Sequence, residues 1–241
     1  MRLDVCLYER GLVGSRTDAK NLILKGAVKV GDKTVTKPAF DVEESDEITV
    51  DTSYKRYVSR GGLKLEAALE AFSVDPTGKS AIDIGASSGG FTDCLLKHGA
   101  ARVIAVDSGS NQLVASLRED PRVVSIENFN ARYMTASDLP FAPELAVMDV
   151  SFISATHIVK AVFDCLKSGG EFICLVKPQF EVGRANIGKG GIVKSEKARN
   201  DALASVIQFS KNVGFEHLGS INSPIEGGDG NVEFLIHLKK Q

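Results

Sequence analysis

The chain has 241 residues, 29 Lys+Arg against 31 Asp+Glu and a formal net charge of −2, which fits one large domain or a small one joined to a medium one. Apolar residues at 43% and charged residues at 25% exclude a long disordered chain, a collagen-like chain and a disulfide-stapled miniprotein. The near-neutral sum also speaks against a nucleic-acid binder, yet the charge is unevenly placed. Residues 1–40 hold eight Lys/Arg and four Asp/Glu, residues 41–51 hold six acids and no base, and residues 52–64 hold four bases and no acid.

No run approaches the roughly 18–20 apolar residues that span a bilayer. Asp4 and Glu9 interrupt what would be the apolar core of a signal peptide. Cys6, Cys94, Cys165 and Cys174 show no C-x-x-C spacing, and the last three sit in apolar periodic stretches, as reduced core thiols do. Neither structural zinc nor a disulfide framework is expected, and a reducing cytoplasm is the expected location.

In chain order, residues 2–10 carry Leu3, Val5 and Leu7 at helical spacing and end at Gly11. Ser15 is a credible N-cap for a second helix through Lys25, stopped by Gly26. Segments 28–30 and 34–36 around Gly31-Asp32 read as a hairpin, and 48–50 as a third short strand. From residue 80, β-rich apolar runs alternate with helical ones: 81–84, 91–97, 103–106, 112–117, 123–126, 145–148, 158–166, 172–176, 198–213, 215–221 and 232–238. This pattern implies βαβ units and a doubly wound, mostly parallel α/β sheet. The last two strands lie too close together for a helix between them and are expected to pair antiparallel.

Arg16 and Lys20, at i and i+4, point the same way on the second helix, and Lys29, Lys33 and Lys37 follow on the hairpin and its exit. They form either a solvated face or a cationic surface for phosphates. The ordered pattern Arg2-Leu3-Asp4-x-x-Leu7, Gly11-x-x-x-Ser15-Arg16-x-x-Ala19, Ile23-x-x-Gly26-x-Val28-x-Val30, Lys37-Pro38 and Asp46-x-Ile48 resembles the S4 RNA-binding domain. The resemblance implies a module that holds structured RNA through backbone and shape. Its RNA-binding candidates are Arg2, Arg16, Lys20, Lys29 and Lys37, with Arg60 at the junction that follows.

The segment Ser80-Ala81-Ile82-Asp83-Ile84-Gly85-Ala86-Ser87-Ser88-Gly89-Gly90-Phe91 is a buried strand entering a small-residue loop and then a helix. It lacks G-x-G-x-x-G spacing, which disfavours a nicotinamide dinucleotide. Asp107 follows Asp83 by 24 residues at a strand end, where a carboxylate holds ribose hydroxyls. That combination also suits S-adenosylmethionine, which has a ribose but no phosphate. The cofactor-binding candidates are Asp83, Gly85, Ala86, Ser87, Gly89, Gly90, Phe91 and Asp107. Asp138 and the 128–130 region follow the third strand of this part and either reach an adenine or belong to surface loops.

Asp149 and Lys177 end strands, Glu233 lies in the last strand, and Lys64 lies at the junction of the two parts. Ligands of open α/β sheets bind beyond the carboxyl ends of the strands, so Asp149 and Lys177 should face the crevice of the 85–90 loop. The alternative is an ordinary ion-pair network.

Tyr57-Val58-Ser59-Arg60-Gly61-Gly62-x-Lys64-Leu65, the 83–95 segment, Asp149-Val150-Ser151-Phe152-Ile153-Ser154, Val176-Lys177-Pro178-Gln179-Phe180-Glu181 and Gly230-Asn231-x-Glu233-Phe234 together resemble the TlyA-type proteins, often labelled haemolysin A. The catalytic part is similar to FtsJ-type RNA methyltransferases. The resemblance covers nearly the whole chain. It implies an S4-like domain over residues 1–52, a linker over 53–60 and a methyltransferase domain over 61–241. The larger domain would be a Rossmann-like class I methyltransferase sheet with an antiparallel last strand. The implied activity is S-adenosyl-L-methionine-dependent 2′-O-methylation of ribose, on cytidine in 16S and/or 23S rRNA. The family's K-D-K-E tetrad falls on Lys64, Asp149, Lys177 and Glu233. Segment 108–113 departs from the family's more usual Val-Gly-Tyr/His-Gly-Gln-Leu.

The chemistry suits these residue types. A ribose hydroxyl is a poor nucleophile until its proton is removed, and in-line methyl transfer needs tight alignment. Lys177 can be the base or the hydroxyl positioner; the neighbouring cation Lys64 favours its neutral form, while Asp149 and Glu233 pull the other way. The linker Tyr54-Lys55-Arg56-Tyr57 is either an RNA contact or plain solvated chain. The glycine-rich 183–191 loop, with Arg184 and Lys189, is either a flap over substrate or a free loop. His98, His157, His217 and His237 lack metal spacing. The rival functions are a membrane-active haemolysin and a non-catalytic RNA-binding factor of ribosome assembly.

The charge division generates a first prediction. Removing residues 1–52 should leave cofactor binding largely intact and abolish most of the rRNA affinity, together with most of its salt dependence in filter binding. Equal rRNA binding by the truncated protein would contradict this division of labour.

Overall fold

The computed structural model describes residues 1–24, 26–51, 56–227 and 230–241. The chain forms two compact units, Met1–Arg60 and Gly61–Gln241. Of the expected linker, residues 53–55 lie outside the described residues, and 56–60 group with the first unit.

The first unit has helices α1 (Leu3–Glu9) and α2 (Arg16–Leu24) and strands β1 (Val28–Val30), β2 (Lys33–Thr34) and β3 (Ile48–Val50). The strands form an antiparallel sheet of order β2-β1-β3. Gly11 and Gly26, both at positive φ, follow the helices, and Ser15 Oγ accepts from Asp18 N at 3.1 Å. Lys25, the expected end of the second helix, lies outside the described residues. The second hairpin strand is displaced from the expected 34–36 to Lys33–Thr34, although Val35 N still donates to Val28 O at 2.9 Å. Leu3, Leu7, Leu22, Ile23 and Val28 pack in one small core.

The second unit is a seven-stranded sheet flanked by helices. Its elements are α3 (Gly61–Phe72), β4 (Ser80–Ile84), α4 (Gly90–Lys97), β5 (Arg102–Val106), α5 (Ala115–Arg118), β6 (Val123–Ile126), β7 (Leu145–Met148), α6 (Thr156–Cys165), β8 (Glu171–Val176), α7 (Pro178–Glu181), α8 (Glu196–Val213), β9 (Phe215–Asn222) and β10 (Phe234–Lys240). The strand order is β6-β5-β4-β7-β8-β10-β9. The first five are parallel, and β10 runs antiparallel to both β8 and β9. The strand order reverses between β4 and β7, so a crevice opens where their connections depart to opposite sides. Strands β7 and β8 read as near-continuous apolar runs, and every residue of β4 is buried, because helices cover both faces. Phe172, Ile82, Ile104 and Met148 are fully buried, each worth roughly 1.5–3 kcal/mol relative to exposure.

Three expectations are corrected. Helix α3 was not anticipated: Gly61 and Gly62 are poor helix formers, but the helix buries Leu65, Ala68 and Leu69. The helix expected over 112–117 is confined to Ala115–Arg118, because the Glu127 carboxylate captures the amides of Asn111, Gln112 and Leu113 at 2.7, 3.1 and 3.4 Å. Glu233 precedes β10 rather than lying within it, although its carbonyl still accepts from Ser223 N at 2.8 Å.

All four cysteines are buried and unbridged. Among the described residues no helix is long and apolar enough to cross a membrane. The glycine-rich segment after α7 carries two 3₁₀ turns, Arg184–Asn186 and Lys189–Gly191. Its end is fastened by the buried Asn231, whose Oδ1 accepts from Val193 N at 2.9 Å and whose Nδ2 donates to Gly191 O at 3.0 Å.

Asn231→Ala should therefore destabilise the protein by about 1–3 kcal/mol, since it strands the buried Val193 amide. Chemical denaturation checks this, and an unchanged midpoint would contradict it.

Candidate active site

A cleft of about 470 Å³ opens at the carboxyl ends of β4, β5 and β7. Gly85, Ser87, Asp107, Asn130, Asp149 and Ser151 supply its polar lining, and Val106, Phe129, Ala131, Ile153 and Ile158 its apolar lining. This mixture suits a flat heterocycle joined to a polar sugar.

The loop after β4 is held close to its neighbours. Gly85 N and Ala86 N both donate to Val106 O, at 2.9 and 3.0 Å. Gly85 has φ +81°, and a Cβ there would collide with the backbone carbonyl of Asp149. Only glycine permits both that conformation and that approach. Asp107 ties two loops together: Oδ2 accepts from Ser87 N and Oδ1 from Gly109 N, each at 2.7 Å. Each carboxylate oxygen has a second lone pair, so these bonds orient the acid without exhausting it. The three backbone amides on Glu127, with Arg118 nearby, hold its carboxyl below the usual range and brace the loop beneath the cleft.

The other cofactor candidates lie behind this surface. Ala86, Gly89, Gly90 and Phe91 are buried at the start of α4. Asp83 is fully buried on β4, where Oδ2 accepts from Thr92 Oγ1 at 2.7 Å and Oδ1 has no hydrogen-bond partner among the described residues. Burial pushes this carboxyl up to about 7, Thr92 opposing and the charges of Asp149 and Asp107 adding to it. Asn130 lines the cleft, whereas Asp138 is taken up by Thr135, whose N and Oγ1 bond Oδ2 at 2.8 and 2.7 Å.

The four polar residues singled out in the sequence form two ion pairs. Lys64, on α3, donates to Glu233 Oε2 at 2.5 Å with both side chains nearly excluded from solvent. Lys177 lies 2.5 Å from Asp149 Oδ1. The register Phe234↔Val176 places Glu233 beside Lys177 at the end of the β8–β10 ladder. A Cβ on Gly227 would meet Glu233 Oε1 at 2.5 Å, so the absent side chain leaves room for the carboxylate. Lys177 also donates to Ser151 Oγ at 2.8 Å, a residue of the 149–154 motif to which the sequence reading assigned no role.

In the first unit, Arg2 donates to the buried Asp4 through Nε at 2.9 Å and Nη2 at 3.1 Å. Arg16 lies 3.6 Å from the same carboxylate. The hydrogen bonds from Arg2 are the main reason that the Asp4 carboxyl lies below its usual range. Arg2, Arg16, Lys20, Lys29 and Lys37 are all exposed, and Arg60 is partly buried. Arg10 turns the other way and donates to the carbonyls of Glu43, Glu44 and Asp46, anchoring the acidic stretch.

A glycine cradle beside a strand-end acid, on a Rossmann-like sheet whose last strand is inverted, defines a methyltransferase-type site. Comparison with known proteins agrees: the FtsJ-like methyltransferase model matches residues 57–240 and the S4 domain model residues 1–48. The chain belongs to the FtsJ-like methyltransferase family and carries an S4 domain ahead of the catalytic unit. It is 44% identical over 238 residues to Hemolysin A of Brachyspira hyodysenteriae, covering 98% of this chain and 99% of that one. It is 42% identical over 241 residues to the Mycobacterium tuberculosis protein named 16S/23S rRNA (cytidine-2′-O)-methyltransferase TlyA, covering 100% and 90%. A solved structure named "Putative hemolysin from Streptococcus thermophilus" superposes with a TM-score of 0.80 at 44% identity, covering 100% of this chain and 88% of that one.

Asp83 generates a pH prediction. Its unfolded carboxyl releases its proton near pH 4, whereas the folded one keeps it to about 7. The folded state therefore binds the extra proton in between, and stability falls as pH rises through that window. Melting temperatures at pH 5 and 8 should show wild type losing more stability than Asp83→Asn. Parallel losses would contradict the assignment.

Proposed function

We propose that this protein transfers a methyl group from S-adenosyl-L-methionine to a ribose 2′-hydroxyl of ribosomal RNA, on cytidine in 16S and/or 23S rRNA. The observation that carries the reading is the pair of lysine–carboxylate contacts beside a cleft suited to a nucleoside cofactor. The relatives' rRNA methyltransferase names support the substrate class.

Asp107 and the backbone of the 85–87 loop would hold the cofactor's ribose and amino-acid portions, with the apolar wall of Phe129, Ala131 and Ile158 against its adenine. The fit rests on the close backbone approach at Gly85 and on the braced Asp107 carboxylate. Asp83, Ala86, Gly89, Gly90 and Phe91 shape the loop from behind. When bound, the cofactor supplies an electrophilic methyl on a sulfonium.

Lys177 is assigned the proton of the 2′-hydroxyl, as base or as positioner. Asp149 compensates its charge and fixes its place. Glu233 and Lys64 form the second pair, which keeps a cation near the hydroxyl without leaving a bare buried charge. A general base typically contributes about 10²–10⁴-fold.

The S4-like module, residues 1–52, is assigned the grip on RNA through Arg2, Arg16, Lys20, Lys29 and Lys37. Residues 53–60, with Arg60, are assigned as linker. Arg2 and Arg16 share Asp4, which orients their guanidinium groups for phosphate contacts.

The test is methyl transfer from labelled S-adenosylmethionine to separate 30S and 50S particles, followed by mapping of the nucleotide. Wild type should label one or both, and Lys177→Ala should lose about 100-fold or more in rate while still binding cofactor. A Lys177→Ala protein that methylates at the normal rate would overturn the assignment.

A further inference from the structure

We propose that Ser151 is a positioning residue for Lys177: its hydroxyl restricts the rotation of the lysine's terminal amine and so fixes the direction of its lone pair. This rests on the reading of Lys177 as the group that takes the 2′-hydroxyl proton.

Four observations carry it. First, the hydrogen bond that Lys177 Nζ makes goes to Ser151 Oγ at 2.8 Å. Asp149 Oδ1 is nearer, at 2.5 Å, but it is a buried oxygen with no hydrogen bond in good alignment. Both partners therefore restrict the amine: the carboxylate draws it by charge, and the hydroxyl holds one N–H in an aligned bond. Second, the register of β7 and β8 brings the two segments out side by side. The ladder ends at Met148 opposite Cys174, and Ser151 and Lys177 each lie three residues beyond that pair, in the segments that leave the strands.

Third, the two segments that leave these strands are joined at a second point. Glu181, four residues beyond Lys177, accepts from Ser154 Oγ at 2.5 Å and from Ala155 N at 2.8 Å. Segments 151–155 and 177–181 are thus tied at both ends. Between the ties, Phe152 sits at φ +65° and is 92% exposed. Such a conformation is unfavourable for a bulky residue and persists only where the surroundings impose it. Fourth, Ser151 is exposed and lines the cleft, whereas Lys177 is nearly buried. The hydroxyl thus lies where the lysine meets the cleft.

The geometry follows from the amine itself. A neutral amine has two N–H groups and one lone pair in roughly tetrahedral directions. With one N–H towards Asp149 and the other on Ser151, the lone pair has a single direction left. When the 2′-O–H bond breaks, the proton forms the third N–H bond and the electron pair stays on oxygen. Without Ser151 one of the two restraints on rotation about Cε–Nζ is lost, and the lone pair is aligned only part of the time. The loss falls on orientation, not on binding.

The test compares wild type, Ser151→Ala, Ser151→Thr and Lys177→Ala. Ser151→Ala should lower kcat by about 10-fold or more, with KM for the ribosomal particle and cofactor Kd by calorimetry within about twofold. Ser151→Thr, which keeps the hydroxyl, should recover most of the rate. In protein labelled with ¹⁵N-lysine, the Lys177 amine protons should exchange faster in Ser151→Ala than in wild type or Ser151→Thr, a readout independent of turnover. Wild-type kcat in Ser151→Ala beside an inactive Lys177→Ala overturns this proposal alone. A loss of cofactor affinity with unchanged kcat also overturns it, because the hydroxyl would then be a cofactor contact. An active Lys177→Ala overturns the reading beneath it.

Discussion

A strand inserted against the direction of its neighbours brings its entry residue to the end of the sheet where the others have their exits. The antiparallel seat of β10 beside β8 therefore places Glu233, entering β10, next to Lys177, leaving β8. In an all-parallel sheet only exit residues would line the crevice, and Glu233 would stand at the far edge. The buried Lys64–Glu233 pair depends on this placement. An unpaired buried charge costs several kcal/mol, so each partner makes the other tolerable. Pairing alone is weak evidence of a stabilising role, because a well-packed apolar pair often does as well. The proposed reaction gives both pairs a use that stability alone does not require.

The cleft is held ready by bonds that engage backbone more than side chain. Asp107 draws the loops after β4 and β5 together through two amides. Glu127 does the same for residues 111–113. Polar groups fixed before a ligand arrives need little reorganisation when it binds. The segments that leave β7 and β8 are tied in the same way, by Lys177 to Ser151 and by Glu181 to Ser154 and Ala155.

Much of the fold was legible in the sequence because it rests on local pattern. Apolar runs such as 172–176, a Gly/Ser turn after 84 and the short gap between the last two strands are one-dimensional signals, and they locate the strands within a residue or two. What escaped depends on distant partners. Helix α3 opens with two glycines and is stabilised by the sheet and α4 that it packs against. Residues 112 and 113 belong to a helical pattern, but the Glu127 carboxylate, about fifteen residues away, holds their amides. In the candidate site, Asp149 and Lys177 stood out as charges at the ends of apolar runs, and Lys64 and Glu233 joined them through the family's pattern. Ser151 did not, since a serine in a loop has no periodicity. Only the paths of the two segments that leave β7 and β8 bring it to the lysine.

The central claim is that the acceptor is a ribose 2′-hydroxyl whose proton passes to Lys177. The most direct measurement is the chemical identity of the labelled nucleoside in rRNA methylated by the purified protein. The account predicts that the label resides in 2′-O-methylcytidine and that the phosphodiester on its 3′ side resists alkaline hydrolysis, because the blocked hydroxyl cannot attack. Label on a base, with that bond cleaved as readily as its neighbours, would contradict it.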